Sequence, residues 1–137
     1  FEAGTPAIEG VIGLRKAIEY LNSIGMENIH TYEKELKEYA IKKLKEIKEI
    51  TIYNENSDSG IIAFNYEGVF AQDLGTHYNS YGIAVRTGQH CAKLLPNHLK
   101  TPSIVRASLY FYNTKEEIDK FIEVSKKGSE YLDAYFR

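Results

Sequence analysis

The chain has 137 residues, of which 43% are hydrophobic and 26% are charged. This composition suits one compact domain and excludes a disordered segment. The formal net charge of −2 excludes the basic excess that nucleic-acid binding requires. No apolar run approaches the ~20 residues of a membrane span, and the N-terminus lacks the pattern of a secretory signal. We therefore expect a soluble, cytoplasmic protein that binds neither nucleic acid nor membrane.

Two amphipathic helices are predicted at the start of the chain. Apolar residues recur at three- and four-residue steps over residues 8–24 and again over residues 27–47. We expect Thr5 to cap the first helix, with Pro6 at its first position, and Gly25 to end it with a left-handed residue. The charged residues of the second helix are expected to form a solvated face: Glu33, Lys34, Glu35, Lys37, Glu38, Lys42 and Lys43.

Four short segments predict β-strands, because each is rich in β-branched or aromatic residues. They span residues 50–53, 61–66, 83–86 and 104–112, and the first two form a hairpin. The last segment alternates, which places Arg106 on the face opposite the apolar residues.

Two further helices complete the predicted elements. One covers residues 70–81 and ends at Gly82, and the other runs from a Thr114–Glu117 capping box to the C-terminus. Helices interleaved with short strands predict an α+β fold, with an antiparallel or mixed sheet of about four strands and long helices packed on one face.

The densest group of reactive side chains lies in the loop after the third predicted strand. This loop contains Arg86, His90, Lys93 and the single cysteine, Cys91. A lone cysteine excludes an intrachain disulfide and suits a reducing compartment. A thiolate is the nucleophilic form of cysteine, and neighbouring cations stabilise it. The pattern favours a nucleophilic Cys91, and the alternative is a cysteine that is simply buried.

Zinc is the competing hypothesis for this loop, because Cys and His are zinc ligands. Cys91, His90, His98 and His77 do not show a paired ligand spacing, so we predict no metal site. We expect His30 and His77 to be ordinary, partly exposed side chains.

Two arginines and one helix start are candidate anion sites. The guanidinium groups of Arg106 and Arg86 can bind a carboxylate through two hydrogen bonds. Arg106 also needs a partner, since it lies within an otherwise apolar strand. Gly4 and Thr5 precede a predicted helix, where free amides and the helix dipole favour phosphate.

Three segments together resemble a known family. They are residues 1–6 (FEAGTP), 82–92 (GIAVRTGQHCA) and 106–114 (RASLYFYNT). These segments resemble the C-terminal part of SufS-type cysteine desulfurases, which are pyridoxal 5′-phosphate enzymes of the class V aminotransferase group with the type I fold. The resemblance covers nearly the whole chain in order.

The resemblance implies a role for each candidate residue. Cys91 would attack the sulfur of substrate L-cysteine, giving L-alanine and a persulfide that is passed to an acceptor protein for iron–sulfur cluster assembly. Arg106 would hold the substrate carboxylate, with Arg86 and His90 lining the same site. Gly4 and Thr5 would reach the cofactor phosphate of the neighbouring subunit, which implies a homodimer.

The chain departs from the family pattern at two points. Many relatives have His-His-Cys-Ala-Gln-Pro where this chain has Gln89 and Lys93, and Lys93 adds a positive charge near Cys91. The Schiff-base lysine of the family follows a histidine, and this sequence contains no His-Lys pair. We therefore expect residues 1–137 to be the C-terminal domain of a desulfurase whose large cofactor domain precedes Phe1. The isolated chain would be inactive and would expose the apolar surface that meets the larger domain.

Two other functions stay open at this point. A selenocysteine lyase or another class V lyase would use the same site on a related substrate. A non-catalytic module that binds a small carboxylate or forms a dimer contact would instead have a buried, unreactive Cys91.

Overall fold

A computed structural model describes residues 3–92 and 94–136, and its elements alternate between helices and short strands. The helices are α1 (Ile8–Ile24), α2 (Met26–Leu44), α3 (Ala71–Ser80), α4 (Leu94–His98), α5 (Lys115–Lys126) and a final 3₁₀ helix (Gly128–Tyr135). The strands are β1 (Ile50–Ile52), β2 (Ile61–Tyr66), β3 (Arg86–Gly88) and β4 (Ile104–Ser108).

The four strands form one antiparallel sheet in the order β1-β2-β4-β3. Phe64 of β2 lies opposite Ile52 on one side and opposite Val105 on the other. The predicted α+β fold with about four strands is therefore confirmed, and its sheet is entirely antiparallel.

Helices α2, α3 and α5 cover one face of the sheet. Phe64 packs edge-on against Tyr78 and Phe121, with ring centroids 6.1 and 5.8 Å apart, and the latter two rings stack at 5.2 Å. Val105 and Ala107 of β4 are buried in the same core. The predicted alternation is confirmed: Arg106, between them, lies on the other face, which we call the open face.

Buried polar groups on the covered face have partners. Ser125 donates to the Phe121 carbonyl (2.7 Å), so Tyr78 donates its hydroxyl proton to Ser125 Oγ at 2.7 Å. Burial raises the pKa of Tyr78 well above its usual range. His77 Nε2 contacts the Val124 carbonyl at 3.1 Å, and the side chain is 1% exposed. The prediction of a partly exposed His77 is wrong, because α3 turns this residue towards α5.

The start of α1 also differs from the prediction. Ile8 donates its amide to the Pro6 carbonyl (2.8 Å) across Ala7, whose φ of −73° and ψ of 75° form an inverse γ-turn. Helical geometry therefore begins at Ile8, and Thr5 is not the N-cap. Gly25 does end the helix with a positive φ of 94°, as predicted.

The third strand is shifted relative to the predicted residues 83–86. The amides of Gly82 and Ile83 donate to carbonyls at the end of α3, those of Asn79 (2.9 Å) and Tyr78 (3.0 Å). These bonds hold residues 82 and 83 against the C-terminal end of α3, so β-pairing begins only at Arg86.

The fourth strand and the last helix are shorter than predicted. Asn113 Oδ1 accepts the Tyr110 amide (2.8 Å) and turns the chain, so β4 ends at Ser108. The Thr114–Glu117 capping box is present. Its helix ends at Lys126, and residues Gly128–Tyr135 continue as a 3₁₀ helix.

Lys37 is buried rather than solvated, which corrects the prediction for the charged face of α2. Its Nζ donates to the Asn54 carbonyl (3.1 Å), the Ser57 carbonyl (2.6 Å) and Ser57 Oγ (2.7 Å). Burial lowers the pKa of Lys37, and the nearby Asp58 opposes this effect. The Lys37 side chain thus holds the β1–β2 connection against α2.

Helix α1 lies outside the core. It has no buried side chain, and most of its apolar residues are exposed. Tyr20 contacts Phe111, with ring centroids 6.3 Å apart. Among the described residues, no helix combines the length and the apolar character that a membrane crossing requires.

Candidate active site

The β3–β4 pairing brings two predicted site residues together on the open face. Arg86 and Arg106 are direct cross-strand partners, and such partners have Cα atoms about 4.5–5.5 Å apart. Because side chains alternate along a strand, both point away from the helix-covered core.

These two arginines have no acidic partner within residues 3–92 and 94–136. The ion pairs found in those ranges involve other residues. The buried Nε of Arg106 likewise has no hydrogen-bond partner there. Directly opposed like charges destabilise a sheet, and a buried donor without an acceptor costs about 1–3 kcal/mol. A carboxylate bound between the guanidinium groups would relieve both costs.

His90 lies beside the arginine pair. Its Nε2 is 3.0 Å from the Ile104 carbonyl, and since a carbonyl accepts, Nε2 carries the proton. Burial lowers the pKa of His90, and the charges of Arg106 and Arg86 lower it further, while the bond to Ile104 opposes these effects. The ring is therefore neutral at neutral pH, with a buried Nδ1 that has no partner among the described residues and can accept a proton.

Cys91 is exposed and follows His90 directly. Both residues have left-handed backbone conformations, with φ of 58° and 53° respectively. Such conformations cost about 1–2 kcal/mol per non-glycine residue and often mark functional sites. The interpretation of Cys91 as a buried structural cysteine is wrong, because the thiol faces solvent.

Helix α3 packs closely against β3, the strand that precedes this loop. A Cβ atom on Gly75 would lie 2.6 Å from Thr87 Cγ2, so only glycine lets α3 pack this closely on β3. Gly75 was not among the residues predicted for the site. A glycine in the middle of a predicted helix, where it is disfavoured, was the available signal.

The two residues predicted to bind phosphate are not joined to this cluster. Gly4 and Thr5 are exposed before α1 and make no hydrogen bond to it in the described part of the chain. Lys93 lies outside the described residues. Among the residues that are described, no group of three or more His, Cys, Asp and Glu side chains is arranged to hold a metal ion.

Comparisons with known proteins relate this chain to a family. Residues 1–121 match the family model for aminotransferase class-V. A cysteine desulfurase of Escherichia coli O1:K1 / APEC is 45% identical over 122 residues, which cover 89% of this chain and 30% of that protein. A cysteine desulfurase of E. coli strain K12 / DH10B gives the same values. The chain thus spans less than a third of the curated relatives it matches.

Solved structures with the same fold include two cysteine desulfurases. The apo structure from Thermococcus onnurineus NA1 has a TM-score of 0.88 and 35% identity, and the match covers 93% of this chain and 32% of that chain. The E. coli cysteine desulfurase CsdA (S-sulfonic acid) has a TM-score of 0.88 and 34% identity, and the match covers 95% of this chain and 32% of that chain. A NifS-like protein from Rickettsia africae ESF-5, at 22% identity and a TM-score of 0.76, shares the fold.

Proposed function

Because the chain belongs to the class V aminotransferase family, we propose that residues 1–137 form the C-terminal domain of a SufS-type cysteine desulfurase. In this enzyme Cys91 takes the sulfur of L-cysteine and leaves L-alanine. The observation that carries the proposal is the exposed Cys91, held in a left-handed turn next to a neutral His90 and two arginines that have no acidic partner among the described residues.

The arginine pair binds the substrate carboxylate. The Nε of Arg106, which has no partner among the described residues, and the guanidinium of Arg86 on the paired strand supply N–H donors on the same face of the sheet. A guanidinium can offer two such donors to the two oxygens of a carboxylate. Because both arginines come from paired strands, their spacing is fixed before the substrate arrives.

The site residues also suit the cofactor of the family, pyridoxal 5′-phosphate. Bound, it would supply an electron sink for the amino-bearing carbon of the substrate. Gly4 and Thr5 are exposed, and nothing lies within 4 Å of a Cβ position on Gly4, so their amides and the Thr5 hydroxyl are accessible to a phosphate of the neighbouring subunit in a homodimer. The Schiff-base lysine would come from the preceding domain, since no His-Lys pair occurs here.

Cys91 carries out the sulfur transfer. Its thiolate forms an S–S bond with the substrate sulfur while the carbon–sulfur bond breaks. The bonding electron pair stays on the carbon, which takes up a proton and leaves as alanine. His90 Nδ1 is a free acceptor in the same site and can hold the proton that a thiol releases.

The persulfide on Cys91 is then passed to an acceptor protein. The exposure of Cys91 supports this step, because a second protein must reach the sulfur. We assign the sulfur to iron–sulfur cluster assembly in the cytoplasm. The exposed apolar face of α1 is covered by the large cofactor domain in the intact enzyme, and the 137-residue chain alone is inactive.

The test is alanine and sulfide release from L-cysteine by the intact, cofactor-loaded protein and its Cys91→Ala variant. We expect the variant to lose at least about 10³-fold in turnover, because the nucleophile is gone. A Ser108→Ala variant, also on the open face, is the matched control and should retain turnover. Wild-type turnover by Cys91→Ala would contradict the proposal. Parallel assays with selenocysteine would separate a selenocysteine lyase from a desulfurase.

A further inference from the structure

Hydrogen bonds of Asn65 link β2 to the end of the β3–β4 connection, the segment that contains Cys91. Asn65 Nδ2 donates to Thr101 Oγ1 (2.9 Å) and to the Ser103 carbonyl (2.8 Å), and its Oδ1 accepts the Val105 amide (3.3 Å). Thr101 Oγ1 in turn donates to the Ser103 carbonyl at 2.9 Å. Asparagine is disfavoured within strands, and these bonds explain its presence on the open face.

Hydrogen bonds continue from this anchor to the cysteine. The Thr101 amide donates to the carbonyl of Pro96, in α4, at 3.0 Å, and Pro96 is buried. The Leu95 amide of the same helix donates to the Ala92 carbonyl at 2.8 Å, and the Ala92 amide donates to the Gln89 carbonyl at 2.9 Å. Cys91 lies within this last turn, so hydrogen bonds and the peptide link between Leu95 and Pro96 connect its turn to β2.

The two ends of the connection are therefore fixed to different strands. His90 Nε2 binds the Ile104 carbonyl at the beginning, on β4, and Asn65 holds residues 101 and 103 at the end, on β2. The left-handed conformations of His90 and Cys91 store strain, and strained residues persist only where their surroundings restrain them. Without the Asn65 anchor, the turn at Cys91 can relax.

We propose that Asn65 is a positioning residue for Cys91, acting through Thr101 and α4 rather than by touching the substrate. This inference rests on the proposed function, since it assigns Asn65 to the sulfur-transfer step. Attack requires the reacting sulfur atoms to be aligned at close range, and a displacement of about 1 Å can cost up to 10²-fold in rate.

The test compares Asn65→Ala with Asn54→Ala in the intact, cofactor-loaded protein. Asn54 is a matched control, because its side chain makes similar bonds, to the Ile61 carbonyl (2.9 Å) and from the Ala63 amide (2.8 Å), in the β1–β2 connection. We expect Asn65→Ala to lower kcat about tenfold and to change KM less than about twofold, because the arginines are untouched. Asn54→Ala should change neither constant more than about twofold.

Hydrogen–deuterium exchange gives a readout that does not depend on turnover. The amides of Ala92, Leu95 and Thr101 form the bonds described above, and we expect their exchange to be about tenfold faster in Asn65→Ala and unchanged in Asn54→Ala. Unchanged exchange and kcat in Asn65→Ala, or an equal loss in both variants, would overturn the inference.

Substitutions at Thr101 keep the inference testable if Asn65→Ala does not fold. Thr101→Val removes the hydroxyl that accepts from Asn65 and should lower kcat about threefold or more, whereas Thr101→Ser retains it and should match the wild type. Equal kcat values for the two variants would contradict a positioning role. Failure of the proposed function would instead show as wild-type turnover by Cys91→Ala.

Discussion

The two faces of the sheet differ in how their polar groups are partnered. On the covered face, the side chains of Tyr78 and His77 lie in the core and each has a partner. On the open face, Arg106 Nε and His90 Nδ1 are buried and have none within the described residues. Val105 and Arg106 are neighbours in one strand, so strand alternation separates the part that stabilises the fold from the part available for chemistry.

This contrast makes the two faces separable by mutation. Substitutions in the core of the covered face should mainly change the free energy of unfolding, whereas substitution of the open-face site residue Arg106 should mainly change substrate turnover. A core variant that changed only turnover, or an Arg106 variant that lost only stability, would contradict this contrast.

The largest expected stability effect is at Phe64 on the covered face. Phe64→Ala leaves a cavity between Tyr78 and Phe121 and should lower the free energy of unfolding by about 3–5 kcal/mol. Urea unfolding followed by tyrosine fluorescence measures it, because the chain has 11 Tyr and no Trp. The control on the open face, Ser108→Ala, should change stability by less than about 0.5 kcal/mol. Equal losses in the two variants would contradict the division between the faces.

The next largest effect is expected for Arg106→Lys, which should reduce catalytic efficiency. A lysine offers one point charge instead of a planar pair of donors, so we expect kcat/KM for L-cysteine to fall about 10- to 100-fold, mainly through KM. The free energy of unfolding should not fall, since no ion pair involving Arg106 is lost from the described structure and the buried Nε without an acceptor is removed. Steady-state kinetics and urea unfolding of the same preparation check both statements. An unchanged KM would show that Arg106 does not hold the carboxylate.

The smallest effect concerns the pH dependence of stability at His90. Its pKa is lowered from the ordinary 6.5, chiefly by burial, so the folded chain binds fewer protons than the unfolded chain just below that value. The stability from neutral His90 is present above pH 6.5 and is lost as pH falls towards the lowered pKa. His90→Gln cannot titrate, so the wild type should lose more stability than this variant between about pH 7.5 and 5.5. Parallel losses in urea unfolding would contradict the lowered pKa.

Much of the fold could be predicted from local patterns. Alternation over residues 104–108 and the capping box at Thr114 were correct, because these signals depend on neighbouring residues. The strand at residues 83–86 was misplaced, because a carbonyl at the end of α3 binds the Ile83 amide, which the sequence pattern assigned to β-pairing. The burial of Lys37 was missed, because its partners are carbonyl groups of a distant loop.

The site was predicted as a set of residue types rather than as an arrangement. Arg86, His90 and Cys91 are close in sequence, and the alternation of the last strand placed Arg106 on the face opposite the apolar residues. Their register, with Arg86 directly opposite Arg106, follows from strand pairing that no local pattern reveals. The role of Asn65 was missed for the same reason, since its partners lie 36 and 38 residues away.

The most direct test of the central claim is mass spectrometry of the peptide that contains Cys91, after the intact, cofactor-loaded protein has reacted with L-cysteine. We predict that this peptide gains the mass of one sulfur atom, that a reductant removes the added mass, and that one alanine is released for each sulfur gained. Alanine release at the normal rate while the Cys91 peptide stays unmodified would contradict the account.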